Sequence, residues 1–491
     1  MEPALEMELE MQDVIPSPLQ SPVPFTSRLG QGGVGGGGGG TSSGSITSAS
    51  GSVADAGFGL RKLQESHHPH AHAHTHGHAQ PSNSRTYSVF LLLNSMIGSG
   101  VFNIPHVFSR AGLLTSYILL TVSALLVYLG LIVLVQVGEF HPELRDYSAL
   151  ARHVFSGSTT AARSVDFFIA IIGFGSLMSY ISAILSMVQG LGQSWAGDSS
   201  TASTTTTTTC LILLLLVFPL CLTRHYGHFS FISVVSMASV FSVLCLVVIG
   251  GPPYSAEYGG PGTNTPPTLF APSASSIRQL GSVIFTFSCA SATFHTFRFM
   301  KTKTVDEWRV VCRWTVFCGW ALCVAMGTAG YCAFGQDTDG IILANFTQGH
   351  VGDAFQMLFI LHLVLYIPLD FLVARHSLLR ICGVEGGALA GNAQHALFTL
   401  ALLAFFSFVV FLLDAAGLGS GDAFSTILNF TGGLGGSVIS FVLPAAMFLR
   451  QRYQHSTNFV LELLPCAVML VVGLVVAVYV PVTTVLHAVK S

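Results

Sequence analysis

The sequence predicts an all-α polytopic membrane protein with eleven transmembrane helices, of which the first and the sixth are broken. Of its 491 residues, 51 % are hydrophobic and only 9 % are charged, whereas soluble domains carry about 25 % charged residues. Apolar runs long enough to cross a bilayer follow one another from Tyr87 onward. Glycine, proline and asparagine interrupt the first of these runs. Such a composition argues against a water-soluble enzyme and places the chain in a lipid bilayer.

Residues 1–84 are predicted to form a disordered cytoplasmic tail, and residues 85–491 a transmembrane domain. The tail is rich in Gly, Ser, Pro and His and contains the run Gly35–Gly40, so it cannot bury enough apolar surface to offset chain entropy. Seven histidines lie from His67 to His78, and neutral imidazoles bind Zn or Cu. A low-complexity tract without ligand geometry is the simpler interpretation, so no metal site is assigned.

Eleven segments of suitable length and hydropathy follow one another along the chain. The shortest lies at 210–222 and needs the Thr204–Thr209 run to complete a crossing. An odd number of crossings puts the two termini on opposite sides of the membrane. The expected bounds are 87–108, 113–138, 165–190, 210–222, 229–250, 277–299, 309–334, 351–374, 395–416, 423–449 and 458–486.

The distribution of charge predicts a cytoplasmic N-terminus. If the chain alternates from there, thirteen Lys or Arg residues lie at inner ends and loops and three at outer ones, as the positive-inside rule expects. An outer loop then carries Asn345-Phe346-Thr347, so Asn345 is the expected glycosylation site. Because 20 Lys and Arg face 23 Asp and Glu, no nucleic-acid surface is expected. Both the plasma membrane and the lysosomal or vacuolar membrane suit this topology.

The first span contains the most informative sequence, Asn94-Ser95-Met96-Ile97-Gly98-Ser99-Gly100-Val101-Phe102-Asn103-Ile104-Pro105. Two glycines and a following proline disfavour a continuous helix, and asparagines facing lipid are costly. Unwinding at Gly98–Gly100 would direct the positive end of a half-helix at an anion and leave carbonyl groups for a cation. An amino acid carboxylate fits such a site. The alternative is that the glycines only allow close helix packing.

The sixth span is the expected place of a second break, because a five-plus-five inverted repeat pairs it with the first span. There the chain reads Phe285-Thr286-Phe287-Ser288-Cys289-Ala290-Ser291-Ala292-Thr293-Phe294-His295. This run of small and hydroxylated residues suits an unwound stretch, although it lacks Gly and Pro. A small-residue packing face is the alternative interpretation.

Motifs in five spans resemble those of the amino acid/auxin permease family, and within it those of the sodium-coupled neutral amino acid transporters. The likeness covers residues 86 to about 486 and keeps the family's order. The stretches that carry it are Asn94–Gly100 with Pro105 and Gly112, Gly173 with Gly175 and Tyr180, Phe285–Cys289, Gly330–Gly335 with Ile341–Phe346, and Thr431–Ser437 with Phe441 and Leu443-Pro444.

This resemblance implies a LeuT-type inverted repeat, alternating access and amino acid substrates. By position, the backbone around Ser95–Gly100 would bind the substrate carboxylate, and Ser288–Thr293 would line the opposite side. The substrate-binding residues implied in this way are Ser95, Met96, Gly98, Ser99, Gly100, Tyr180, Ser288, Ala290 and Ser291.

The coupling ion is expected to be H⁺ or Na⁺, with Asn94 and His362 as candidate residues. The resemblance matches Asn94 to an asparagine of the family's sodium site. Relatives usually offer a Ser or Thr hydroxyl in the eighth span, but Phe355–Ala374 contains neither. His362 in that span is a titratable group suited to proton exchange, or a histidine packed between helices. Asp370, near the end of the span, is expected to pair with Arg375.

The predicted function is secondary active transport of small neutral amino acids. No Lys, Arg, Asp or Glu lies within the two expected breaks, so the substrate side chain should carry no net charge. The first alternative is an amino acid sensor that signals through its N-terminal tail. A metal transporter with a His-rich arm ranks below both. No enzyme or cofactor motif is present, so neither catalysis nor a cofactor is expected.

Overall fold

A computed structural model describes residues 83–139, 146–196, 202–223, 230–260, 263, 266–271, 274–347, 349–384, 389, 391–452 and 463–490. These residues form helices and one isolated β-bridge, between Asn83 and Met300. Within the described ranges, ten helices are long and apolar enough to span a membrane, and a bent helix pair makes an eleventh span. In chain order, spans 1 to 11 are Arg85–Met96 with Ser99–Ala111, Leu113–Glu139, Thr159–Trp195, Ala202–Cys221, Val234–Tyr258, Ser276–Arg298, Val305–Asp337, His350–Ile381, Asn392–Ala415, Gly421–Arg452 and Leu464–Val489.

The fourth span is longer than the predicted segment, because its helix begins at Ala202 and takes in the whole threonine run Thr204–Thr209. The hydroxyls of Thr207 and Thr209 each donate to a carbonyl one turn earlier, at 2.8 and 3.0 Å. A threonine that bonds its own helix in this way exposes no free donor to hydrocarbon. The prediction that the threonine run completes this crossing is confirmed.

The described part of the chain starts at Asn83, whose N–H donates to the carbonyl of Phe299 at 2.7 Å and whose carbonyl accepts from the N–H of Lys301 at 3.1 Å. Two residues later, Arg85 forms a two-pronged ion pair with Glu307, at 2.7 and 2.9 Å. These contacts pin the start of span 1 to the connection between spans 6 and 7. The predictions of a disordered tail and a His-rich arm fall on residues outside the described ranges.

Span 1 is broken at its centre. Its first helix ends at Met96, and the next two residues are extended, with ψ 91° at Ile97 and φ −109°, ψ −153° at Gly98. A 3₁₀ turn and the α-helix Ile104–Ala111 follow, at 57° to the first half. The prediction of a break is confirmed, but its position shifts toward the N-terminus, because Ser99 and Gly100 already belong to the 3₁₀ turn.

Span 6 is interrupted at the corresponding place. The helix Leu280–Phe287 ends, Ser288 is extended with ψ 99°, and a 3₁₀ turn leads into the helix Thr293–Arg298. The interruption needs neither Gly nor Pro, since the extended region is open to any L-residue. The predicted break in span 6 is therefore confirmed.

Packing between spans repeats after an interval of five. Span 1 packs against span 7 and span 6 against span 2, while span 3 packs against span 10 and span 8 against span 5. The same shift relates the pair of spans 3 and 9 to the pair of spans 8 and 4. Because five crossings reverse the direction of the chain, two halves related in this way are inverted. The fold is the LeuT-type five-plus-five repeat, with span 11 added.

Spans 6 and 10 meet backbone to backbone at Gly281 and Gly432, where a Cβ on either glycine would overlap the other span. Asn429 fastens this contact. Its Oδ1 accepts from both the backbone N–H and the hydroxyl of Ser282 at 2.9 Å, and its Nδ2 donates to Oε1 of Gln279 at 3.2 Å. One buried amide thus satisfies donors and an acceptor at the start of span 6.

Replacing Asn429 by alanine should lower the free energy of unfolding by about 2 kcal/mol, because the buried donors of Ser282 lose their acceptor. Unfolding of the detergent-solubilised protein, followed by tryptophan fluorescence, measures this loss. The matched control is Asn392→Ala at the exposed start of span 9, where a change below about 0.5 kcal/mol is expected. Equal stability of the two variants would contradict the account of this contact.

Candidate substrate and coupling site

The break in span 1 exposes helix-terminal amide groups inside the protein. The N–H of Gly98 reaches the carbonyl of Met96 only at 3.2 Å, and no side chain caps the 3₁₀ turn Ser99–Asn103 that starts beside it. The first N–H groups of a helix have no partner within the helix, and together they carry partial positive charge. This geometry suits an anionic group that approaches the break.

Two neighbouring spans enclose the break closely. A Cβ on Gly100 would overlap the side chain of Thr286 in span 6 and lie 3.0 Å from its Cα. On the other side, a Cβ on Gly98 would lie 3.4 Å from the hydroxyl of Tyr180 in span 3. The hydroxyl of Ser99 lies 3.1 Å from that of Ser179. Gly98, Ser99, Gly100 and Tyr180 are thus brought together between spans 1, 3 and 6.

The other predicted residues of span 1 take different places. Met96 is buried with its Sδ against Gly319 of span 7, so only its backbone faces the break. Ser95 is partly exposed, and Asn94 is buried.

The predicted residues of span 6 differ in exposure. Ala290 is buried, Ser288 is partly exposed, and Ser291 is exposed one turn further on. The next turn brings His295, which is also exposed. The exposed side of this half of span 6 is therefore polar.

Span 8 approaches the break with two tyrosine-linked groups. The hydroxyl of Tyr366 donates to the carbonyl of Asn94 at 3.1 Å, and the hydroxyl of Tyr180 donates to Oδ2 of Asp370 at 2.8 Å. The two phenol rings meet edge to face, with centroids 5.8 Å apart. His362 is buried and stacks between Phe359 and Tyr366.

The hydrogen bonds of Asp370 and Arg375 differ from the ion pair that the sequence suggested. The guanidinium of Arg375 donates to the carbonyls of Cys221 and Thr223 at 2.7 and 2.9 Å, and to the hydroxyl of Thr399 at 2.8 Å. Arg375 thus binds the end of span 4 to spans 8 and 9. The carboxylate of Asp370 is directed at Tyr180 instead.

The loop after span 7, residues 335–346, covers the second half of span 1, and we call it the cover segment. Nδ2 of Asn103 donates to the carbonyl of Gly340 at 2.8 Å, and Nδ1 of His106 donates to the carbonyl of Thr338 at 3.0 Å. Asn345, the predicted glycosylation site, holds the segment from within, since its Nδ2 donates to the carbonyl of Asp337 at 2.8 Å. The second half of span 1 is buried from Ser99 to Ser109.

The cover segment also contains a half-buried acid, Asp339. Burial raises the pKa of its carboxyl, and repulsion from Asp422 acts in the same direction, while the N–H of Ile341 opposes both by donating to Oδ1 at 3.0 Å. The carboxylate therefore acts as a local cap within the segment.

Sequence reasoning missed three of the residues that shape the site. Tyr366 and Asp370 lie in span 8, where the polar residues show no helical periodicity in the sequence. Thr286 could not be distinguished from the other small and hydroxylated residues of span 6. The spacing of Tyr366 and Asp370, one helical turn apart, was the available clue. In the described residues, no group of three or more His, Cys, Asp or Glu side chains converges on a metal site.

Comparison with known proteins identifies the family. The family model for transmembrane amino acid transporter proteins matches residues 81–486. The chain belongs to the amino acid/auxin permease family. It is accordingly an integral membrane protein of an amino acid transporter family, and not an enzyme.

Individual relatives match over most of the chain. The putative sodium-coupled neutral amino acid transporter 11 of Rattus norvegicus is 24 % identical over 81 % of this chain and 84 % of its own length. The vacuolar amino acid transporter 5 of Schizosaccharomyces pombe is 24 % identical over 74 % of this chain and 83 % of its own length. A solved structure of the Eremococcus coleocola manganese transporter covers 83 % of this chain and 86 % of its own, at 12 % identity and a TM-score of 0.47.

The two glycines of the break should respond differently to an added methyl group. Gly100→Ala should fail to give a stable, monodisperse protein, because its Cβ collides with the Thr286 side chain and crowds its backbone. Gly98→Ala should fold, since its extended φ suits alanine and its nearest neighbour is 3.4 Å away. Thermal stability by fluorescence size-exclusion chromatography compares the two. A Gly100→Ala protein as stable as the Gly98→Ala protein would contradict this geometry.

Proposed function

We propose that this protein is a secondary active transporter of small neutral amino acids that works by alternating access and couples transport to H⁺ or Na⁺. The observation that carries the proposal is the break at Ile97–Gly98, where uncapped amide groups face spans 3, 6 and 8. Irregular backbone at this depth is tolerated only inside the protein or beside water. The carboxylate of an amino acid supplies the acceptor that these N–H groups need.

The surroundings of the break support a small, uncharged substrate side chain. Thr286 and Tyr180 lie so close to Gly100 and Gly98 that even a Cβ on either glycine would touch them. Little room is therefore left beside the backbone. The nearby side chains Ser99, Ser179 and Ser288 offer hydroxyls but no charge. In this proposal Ser95, Met96, Gly98, Ser99 and Gly100 bind mainly through their backbone. Tyr180 flanks them, and Ser288, Ala290 and Ser291 form the opposite wall.

The contacts of span 8 favour H⁺ over Na⁺ as the coupling ion. A sodium ion in a protein is held by several oxygen lone pairs, yet the carbonyl of Asn94 already accepts from Tyr366. Span 8 adds no Ser or Thr hydroxyl between Phe355 and Ala374. The name of the rat relative points to sodium, so both ions belong in the test. His362, enclosed by aromatic rings, is the proton-binding candidate that the sequence alone suggests.

Exposure around the break supports a state that is open toward the start of span 1. The second half of span 1 is buried beneath the cover segment, whereas Ser95, Ser288 and Ser291 keep exposed surface. Polar side chains at this depth face water-filled cavities rather than lipid. With the N-terminus in the cytoplasm, as the loop charges predict, this is an inward-open state. The membrane proposed for it is the plasma membrane or that of the lysosome or vacuole.

Uptake by the purified protein in liposomes tests the proposal. With an inward H⁺ or Na⁺ gradient, labelled L-alanine, L-serine and L-glutamine should accumulate, whereas L-lysine and L-glutamate should not, because no Lys, Arg, Asp or Glu lies within the two interrupted stretches. We expect the H⁺ gradient to drive the larger uptake. Preferential uptake of a charged amino acid would contradict the substrate class, and no uptake of any amino acid under either gradient would contradict the whole proposal.

A single hydroxyl provides the matched test of the site. Tyr180→Phe removes the group next to Gly98 and should raise KM several-fold in a folded protein, because a bond to substrate or to its neighbours is lost. Tyr128→Phe in span 2, a tyrosine that is not among the neighbours of Gly98, is the control and should leave KM unchanged. Identical KM values for both variants would remove Tyr180 from the proposed site.

A further inference from the structure

Asp370 is an ionisable residue within membrane span 8, and it has no role in the proposed substrate site. Span 8 runs from His350 to Ile381, so Asp370 lies roughly 30 Å from one end of the helix and roughly 16 Å from the other, at about 1.5 Å per residue. Ionisable residues at such depth are rare in membrane proteins and mark substrate, ion or proton pathways. Its side chain is half-buried in the structure.

The partners of Asp370 in the structure are hydroxyl groups rather than a basic side chain. The phenol of Tyr180 donates to Oδ2 at 2.8 Å, and the side chain of Ser176 is a second hydrogen-bonding neighbour. Spans 3 and 8 touch here, since a Cβ on Gly173 would lie 3.1 Å from the carbonyl oxygen of Asp370. The neighbours of this carboxylate are hydrogen-bond donors. A metal ion would need further oxygen ligands around it, so these surroundings suit the binding and release of a proton better than the binding of a metal ion.

Tyr180 connects this carboxylate to the break in span 1. Its hydroxyl is hydrogen-bonded to Asp370 and lies 3.4 Å from the place where a Cβ of Gly98 would be. One phenol group therefore reaches from Asp370 to the residue at which the substrate carboxylate is proposed to bind.

We propose that Asp370 is the proton-binding residue that couples transport to a proton gradient, and that Tyr180 is the positioning residue that links its protonation to the substrate site. While Asp370 is ionised, it holds the O–H of Tyr180 and repels a second carboxylate across a medium of low dielectric constant. A proton passes from water on the open side to a carboxylate oxygen of Asp370 and cancels that charge. The O–H of Tyr180 is then released to donate to the carboxylate of the incoming amino acid. After the protein opens on the other side, substrate and proton leave together and the ionised pair forms again.

The other titratable groups around Asp370 are compatible with this cycle. On span 8 itself, Tyr366 lies one turn earlier, and Arg375 directs its guanidinium to the carbonyls of Cys221 and Thr223. Span 3 contributes Tyr180 at this level. Span 8 also packs against Leu213–Val217 and Phe218–Cys221 of span 4 and against Ser230–Cys245 at span 5. The titratable groups in these segments are the thiols of Cys221 and Cys245.

The inference rests on the proposed function, so the experiment separates proton coupling from transport itself. Liposomes carry the protein and an internal pH-sensitive dye. Proton entry is recorded when L-alanine, L-serine and L-glutamine are added together, and exchange of the labelled amino acids is measured at equal pH on both sides. Wild type should show both activities. Its KM for exchange should rise as the pH increases, by a total factor of roughly ten for each unit by which the pKa of Asp370 differs between the occupied and the empty site.

Asp370→Asn is the decisive variant, because asparagine imitates the uncharged, protonated acid and should leave the O–H of Tyr180 available to the substrate carboxylate. Proton entry should disappear, while exchange continues with a KM that no longer changes between pH 5 and pH 8. Asp414→Asn, which alters a carboxyl in span 9, is the control and should retain both activities.

Three results would overturn the proposal. They are proton entry that persists in Asp370→Asn, exchange without proton entry in the wild type, and loss of both activities in a folded Asp370→Asn protein. The second of these leaves amino acid transport standing, whereas a wild type without exchange would refute the proposed function itself. If Asp370→Asn does not fold, Asp370→Glu replaces it, and proton entry with a shifted pH profile is expected. A wild-type pH profile in Asp370→Glu would equally overturn the proposal.

Discussion

The need to satisfy every backbone amide inside a bilayer governs this structure. Hydrocarbon offers no hydrogen bonds, so a helix can be interrupted at mid-membrane only where protein or water surrounds the freed groups. Around the break at Ile97–Gly98 the neighbouring groups come from spans 3, 6 and 8. The side chains that approach it most closely are those of Tyr180, Thr286 and Tyr366. In the proposed function, the carboxylate of an amino acid accepts from the amide groups freed inside this enclosure.

The inverted repeat explains why these spans meet. Spans 1 and 6 occupy equivalent positions in the two halves, and so do spans 3 and 8, which pack directly against each other. Small residues at the crossings let backbones approach, as Gly281 and Gly432 do, and buried amides such as that of Asn429 then fix the register.

Composition and hydropathy predicted the all-α class, the number of spans and both breaks, because each depends on local features such as length, glycine spacing and proline position. The fourth span was predicted too short, since threonines that bond their own helix look polar in the sequence. The hydrogen bond between Tyr180 and Asp370 was not predicted, because the two residues lie 190 positions apart along the chain. Local sequence predicts where a helix breaks, whereas the groups that meet at the break depend on tertiary packing.

The central claim is that the bare amide groups beside Gly98 bind the carboxylate of the substrate. It is tested most directly by competition against the labelled amino acid that the protein transports best, using the same amino acid with its carboxylate converted to an amide. The account predicts that the unlabelled amino acid competes and that the amide competes at least roughly tenfold more weakly, the factor that corresponds to about 1.4 kcal/mol. Equal competition by the two compounds would contradict it.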